Sequence, residues 1–358
     1  MGSGLFTCNF NTDKEQERNY SICAQLTLKL NFELILSIIK KILLSIFCIL
    51  IFLIGLTKLY DFALHQNVNL KAAYIQKEKV NADILIHGPC EPLWMISPAQ
   101  LDKITGLKSY NLALSHSDFA DNFLHLYFYL KNNKAPQYLF LYVTPESMDL
   151  NYNTFNTYRF ASYLGDPVVD SVVQECDPAY YKWENIPFMK YAYYNTNINF
   201  DALQGLKHYA TKRTIPYHAD GYEPPIQVVW DNHLEEFIQL YPKGYNFKWD
   251  ALREKYLCKT IALAQQHGIK VCLYESPVLK EALRYQPNRE EICSRISDIA
   301  AKYGISYLSF EGMKIAASRN YYMSTLNTNL EGSRIFTDSL GKRINGMIKN
   351  DEFIHPHL

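Results

Sequence analysis

An uncharged apolar run extends from Ile42 to Thr57, ILLSIFCILIFLIGLT, with Lys40 and Lys41 before it and Lys58 after it. Sixteen helical residues rise roughly 24 Å, short of the ~30 Å hydrocarbon core of a bilayer. Upstream, Phe32 to Ile39 (FELILSII) adds apolar length broken by Glu33, and the flanking lysines can reach the interface along their own stems. The pattern predicts a transmembrane signal anchor over residues 32–64. The competing reading is a buried core helix, yet nothing around the run has the pattern of a bundle. A cleaved signal peptide fits less well. The run lies far from the start, and Tyr60, Asp61 and Phe62 follow it where small residues would mark a cleavage site. Lys29, Lys40 and Lys41 favour a cytoplasmic amino side. Residues 1–31 are thus expected as a polar, patternless and mobile cytoplasmic segment, and residues 65–358 as an extracytoplasmic domain. Phe6 stands where an acylation signal after Gly2 requires Ser or Thr, which argues against myristoylation.

Beyond the anchor, short apolar runs alternate with helical periods. Ala82 to His87 (ADILIH) reads as a buried strand ending at Gly88, and Tyr110 to Leu114 (YNLAL) as a second. Asp118 to Lys131 carries Phe119, Phe123, Leu126, Tyr127 and Leu130 at helical spacing. Tyr138 to Val143 (YLFLYV) is the third strand, closed by Pro145. A helix over Trp249 to His267, stopped by Gly268, precedes a fourth strand, Ile269 to Tyr274. A helix over Arg289 to Tyr303, stopped by Gly304, precedes a fifth, Ile305 to Phe310. The last helix starts near Leu330. This alternation predicts an α/β fold, a three-layer α/β/α arrangement around a parallel sheet, with ligands at the carboxyl ends of the strands.

A long insertion, about residues 149–246, separates the third and fourth strands. It is rich in Tyr, Asn and Pro and has no clean period. A loop of this length needs structure or function of its own. Two readings stand: a decoration that packs its tyrosines inward, or a substrate-binding cap whose aromatic faces suit sugar rings or other flat apolar surfaces.

Composition narrows the function classes. The chain of 358 residues carries 36 Lys+Arg against 36 Asp+Glu, so it lacks the basic excess of a nucleic-acid binder. An apolar content of 48% argues against disorder. Eight cysteines are too dilute for a disulfide scaffold, and no zinc-type spacing occurs. No metal and no cofactor is expected.

Four strand-end runs carry a resemblance: ILIHGPCEP (Ile84 to Pro92), YNLAL (Tyr110 to Leu114), VCLYESP (Val271 to Pro277) and STLNTNLEGSRIFTDSL (Ser324 to Leu340). In order and content they resemble the SGNH/GDSL hydrolase superfamily over residues 80–145 and 248–348. The similarity is nearest to its membrane-anchored, extracytoplasmic branch, whose members serve cell-envelope acylation. That resemblance implies an SGNH/flavodoxin-like sheet. It also implies a membrane-bound O-acyltransferase as partner and an envelope glycan or acylated molecule as ligand.

Carried over residue by residue, the nucleophilic serine falls on Cys90, the catalytic aspartate on Ser324 and the histidine on Asn327. Gly88, Pro89, Glu91, Asn111, Ser115 and Asn329 fall on substrate-binding positions, and the glycine at the start of the last helix is kept as Gly332. The usual Gly-x-Asn-Asp block has no match around Thr144, Pro145 and Glu146.

These departures matter chemically. A serine-type nucleophile needs a base, and the base needs an orienting partner. Asn327 cannot accept a proton at neutral pH, and Ser324 cannot stabilise an imidazolium. A thiol asks less, because a few per cent is thiolate unaided, and a helix start at Cys90 would lower its pKa while Glu91 opposes that. A base would then come from another histidine. His116, directly after the second strand, is the best placed; His87, His125, His218, His233, His355 and His357 are the others. The competing reading of Cys90 is an inert buried thiol; a third, in an oxidising compartment, is half of a disulfide with Cys176, Cys258, Cys272 or Cys293.

Two function classes follow. One is a catalytically degenerate hydrolase fold acting as an accessory or binding module at the membrane. The other is an active thiol esterase or acyltransferase working through Cys90. A shifted register, with Asp338 or Asp351 and His355 forming a dyad, is the third possibility.

Overall fold

The computed structural model describes residues 11–151, 155–193, 196–225 and 230–353. Cys8, His355, His357 and the myristoylation signal lie outside them, as does the side chain of Cys23.

Helix α1 (Asn11–Gln66) is continuous. Its part Leu28–Gln66 is long and apolar enough to cross a membrane. The expectation of a patternless segment over residues 1–31 is corrected here, because α1 already begins at Asn11. Two physical causes act together. Residues 13–18 (DKEQER) are mostly good helix formers, and extending an existing helix needs no new nucleus.

The chain divides into two compact units, Met1–Lys58 and Leu59–Leu358. In the second unit, the end of α1 is followed by α2 (Lys71–Lys77), β1 (Ile84–His87), α3 (Cys90–Met95), α4 (Pro98–Thr105), β2 (Ser109–Asn111), α5 (Phe119–Asn132) and β3 (Tyr138–Tyr142). The insertion contributes α6 (Pro167–Cys176), α7 (Pro178–Tyr181), α8 (Met189–Ala192), α9 (Thr196–Ala210) and α10 (His233–Leu240). Then come α11 (Ala251–Gln266), β4 (Lys270–Glu275), α12 (Lys280–Leu283), α13 (Arg289–Lys302), β5 (Ser306–Ser309) and α14 (Leu330–Asn350).

All five strands are parallel, in the order β2-β1-β3-β4-β5. Residues alternate between two separate cores, as the twofold period of a strand requires. Leu85, Leu139, Leu141, Val271 and Leu273 pack with Leu124 and Phe128 of α5 and Leu257 and Ile261 of α11. Ile84, Ile86, Phe140, Tyr142 and Tyr274 pack with Leu101 of α4 and Phe336, Leu340 and Ile344 of α14. Each such side chain, fully buried, contributes about 1.5–3 kcal/mol. With both faces covered, the strands read as unbroken apolar runs rather than alternating ones.

β1, β2, β3 and β5 are shorter than their apolar runs, while β4 keeps the expected length one residue further on. β2 ends at Asn111 rather than Leu114. Its free edge is met by the insertion, whose Asp220 carbonyl accepts the Asn111 N–H at 2.9 Å. Helix starts follow their caps. Asp118 caps α5 in a reciprocal box with Asp121, and Asp250 caps α11, leaving Trp249 outside.

The chain leaves β1 for one edge of the sheet and returns to β3 on the other side of β1. The crevice at their carboxyl ends, between Gly88–Glu91 and Thr144–Ser147, is the topological switch point.

The insertion is closed at its base, where Asp149 bridges Trp249 and Leu150 N–H donates to Lys248 at 2.7 Å. Tyr180 and Tyr191 are fully buried in the larger core, as the decoration reading expects. Tyr193, Tyr209, Tyr217 and Tyr241 are exposed.

Candidate functional site

β1 delivers its chain into a turn at Gly88 that only glycine can make. Gly88 has φ +148°, and a Cβ there would lie 2.7 Å from Tyr142 Cβ and 2.8 Å from Pro92 Cγ. Pro89 follows as the residue before α3, and Cys90 is the first residue of that helix.

The structure brings three of the expected site residues together. Cys90 Sγ lies 3.5 Å from Ser115 Oγ, and Ser115 Oγ lies 2.8 Å from His116 Nδ1. The His116 backbone N–H also donates to Cys90 Sγ at 3.1 Å. His116 has φ +49°, a left-handed conformation uncommon for a residue with a side chain. What holds it there comes from the insertion. Arg159 donates to the carbonyls of both Ser115 and His116, and Asn156 donates to the latter. Arg159 is itself fixed by the fully buried Asp121 at 3.3 Å. Sequence reasoning missed Arg159, since no local motif marks it.

Of the two opposed effects expected at Cys90, the one that raises its pKa prevails, with burial added to it. Burial raises it first and the neighbouring Glu91 charge second, outweighing the hydrogen bonds from Ser115 and His116 and the more distant Arg159 charge. α3 has six residues, too few to build much of a dipole.

Glu91 is buried, and its Oε2 has no hydrogen-bond partner. Burial, aided by the charge of Glu146, pushes its pKa up to about 7 although its own backbone N–H pulls the other way. Asn111 is also buried, but its amide is engaged. Nδ2 donates to Pro92 and Ile96 carbonyls at 2.7 and 3.0 Å, and Oδ1 accepts from Ala113 at 3.1 Å. Asn111 therefore ties β2 to α3.

Ser324 and Asn327 pair with each other. Ser324 Oγ accepts from Asn327 N–H at 3.2 Å and from Nδ2 at 3.1 Å. Asn329 caps α14, accepting from Gly332 N–H at 3.0 Å and donating to the Asn320 carbonyl at 2.6 Å. It borders a cleft of about 600 Å3 with Ser97, Tyr222 and Arg334. Among the described residues, no hydrogen bond joins Ser324, Asn327 or Asn329 to Cys90, Ser115 or His116.

Three other candidate histidines are engaged elsewhere, and His218 lines a separate cleft with Lys71, Tyr74 and Glu223. His87 is buried between the Asn122 carbonyl at 2.9 Å and the Gly88 N–H at 3.0 Å, and burial lowers its pKa to about 3. His125 is likewise buried and bonded to the Asp121 carbonyl. His233 pairs with Asp231 in solvent. The thiols of Cys90, Cys176, Cys258, Cys272 and Cys293 are all free. Among the described residues no cluster of His, Cys, Asp and Glu could hold a metal ion.

A second polar group lies past the ends of β4 and β5. Arg289 bonds Glu275 at 2.7 Å and Glu311 at 2.9 Å, while Ser309 Oγ donates to Glu275 at 2.5 Å. Glu146 joins through Gln286 at 2.6 Å. This network cross-links strand ends around one guanidinium shared by three carboxyl groups, and burial raises the pKa of Glu275.

Chemically, the centre is a thiol, a hydroxyl and an imidazole in series. Among the described residues no carboxylate hydrogen-bonds His116. No protein-family model matches this chain, and no curated protein matches it.

Proposed function

We propose that this protein is a membrane-anchored, SGNH-hydrolase-like module of the cell envelope that has lost hydrolase chemistry. In this reading the domain is a three-layer α/β/α unit on the extracytoplasmic side. It serves as an accessory or binding module in O-acyl modification of an envelope glycan or lipid, beside a membrane-bound O-acyltransferase. The observation that carries it is the Ser324–Asn327 pair. At the positions of the resembled acid–base couple stand two neutral side chains bonded to each other, and neither can take a proton from a nucleophile. The protonated state favoured for Cys90 supports the same reading.

The active thiol reading draws on one specific observation, the 2.8 Å contact between Ser115 Oγ and His116 Nδ1 beside Cys90. Ser115 would relay the thiol proton to His116, the Cys90 thiolate would displace the alcohol from an acyl ester to form a thioester, and the proton held by His116 would pass to the departing alkoxide. Incubating the full-length protein with aryl esters, thioesters and an electrophilic acyl probe separates the two. The binding-module reading expects no turnover, no labelling at Cys90 above background, and intact cellular function for Cys90→Ala. Probe labelling that disappears in Cys90→Ala, with turnover lost alongside, would overturn it.

A further inference from the structure

The end of α1 in the second unit is ringed by aromatic side chains of the insertion. Tyr60 meets Phe188 and Tyr191 with ring centroids 5.1 Å away in each case. Phe62 meets Tyr209 edge-on at 5.0 Å. Polar bonds lock the ring in place. Tyr60 hydroxyl donates to Asn199 Oδ1 at 2.7 Å, Lys190 pairs with Asp61 at 2.9 Å, and Asn67 Nδ2 donates to the Asp201 carbonyl at 3.0 Å. Gly205 of α9 lies directly on the Ala63 carbonyl, where a Cβ would come within 1.7 Å.

Several apolar side chains of the collar and of the same segments keep large exposed surfaces. Phe62, Tyr193 and Tyr209 are 40%, 49% and 60% exposed, with Leu59 and Ile186 exposed nearby. Exposed apolar groups in a contiguous patch mark an interaction surface. Continuity of the helix says which one. The uncharged run ends at Thr57 and Lys58. At ~1.5 Å per residue, Leu59 to Phe62 occupy roughly the next 6 Å, comparable to the headgroup layer at each side of the hydrocarbon. Tyrosine, with an apolar ring and a polar tip, is enriched at that level. In the chain, Lys58 directly precedes Leu59 and Lys207 stands two residues before Tyr209.

We infer that this aromatic collar, built by the insertion around Leu59–Phe62, seats in the lipid headgroup layer. Its partner is a lipid surface. The inference rests on the reading of α1 as a membrane span.

The test uses full-length protein in nanodiscs of phosphatidylcholine and phosphatidylglycerol, without other proteins. Single substitutions Tyr209→Trp and Ile186→Trp report the collar, Phe47→Trp reports the span, and Leu240→Trp on α10 is the reference. Emission is taken as the difference from the parent protein, which keeps its four native tryptophans. Lipids brominated next to the headgroup should quench the collar probes about twofold more than the reference, as expected for interfacial aromatics. Lipids brominated near the chain ends should quench Phe47→Trp. If the span probe is quenched and both collar probes behave like the reference, the collar inference is wrong while the anchor stands. If neither is quenched, both fall.

Discussion

Glu91 is a carboxyl group adjacent to a thiol, buried with one oxygen unbonded. Its pKa rises from an ordinary 4.5 to about 7 on folding. The folded state therefore holds a proton that the unfolded chain has already lost. That contribution is fully present below pH 4.5 and is lost as pH rises through about 7. Glu91→Gln keeps the shape without the ionisation. It should leave urea stability unchanged near pH 4.5 and raise it at pH 8, by on the order of 3 kcal/mol at most. An unchanged difference between the two pH values would show that Glu91 reaches solvent. Cys90, its neighbour, shows what residue-level reading could reach. A strand, a glycine and a helix start in succession are legible in the sequence, and Cys90 is the first residue of that helix. The protonation state could not be read that way, because burial outweighs the local hydrogen bonds and burial is a tertiary property. His116 was found by its place after β2. Its clamp, Arg159, lies 43 positions further on and becomes a neighbour only when the insertion folds back.

Elements behaved as their caps and periods indicate. Gly268 has φ +72° and stops α11 where a left-handed residue is needed. Asn329 is a case where the element explains a residue better than a motif does. The resemblance implies substrate binding there, while the geometry makes it the cap of α14. Asn329→Ala should cost about 1 kcal/mol in urea unfolding if capping is its work. A loss of glycan or acyl-ligand binding with unchanged stability would assign it to the ligand instead. Strand ends were less legible. Apolar runs persist beyond the ladder because both sides of the sheet are covered, so hydrophobicity does not mark where hydrogen bonding stops. The start of α1 was illegible for the opposite reason, since a polar sequence leaves no hydrophobic stripe.

For the whole molecule, membrane attachment should depend on the apolar part of α1. An alkaline carbonate wash should leave the full chain in the membrane fraction. The pair Phe47→Arg and Ile51→Arg, each costing ~2.5–3.5 kcal/mol at a bilayer centre, should release it; retention of that variant would argue against a span. The sequence by itself determined the alternation of strands and helices, the apolar run and the residues following each strand. Each of these depends on local propensity and on side-chain periodicity, which the chain carries residue by residue. It also carried that neither Ser324 nor Asn327 can act as a base at neutral pH, because side-chain identity alone decides whether a group can take a proton. Only the tertiary structure decided the order β2-β1-β3-β4-β5 and the meeting of Cys90, Ser115 and His116. It alone decided, too, that part of the tyrosine-rich insertion packs around the end of α1. Those outcomes depend on which distant surfaces bury each other, and burial is shared between segments far apart in the chain.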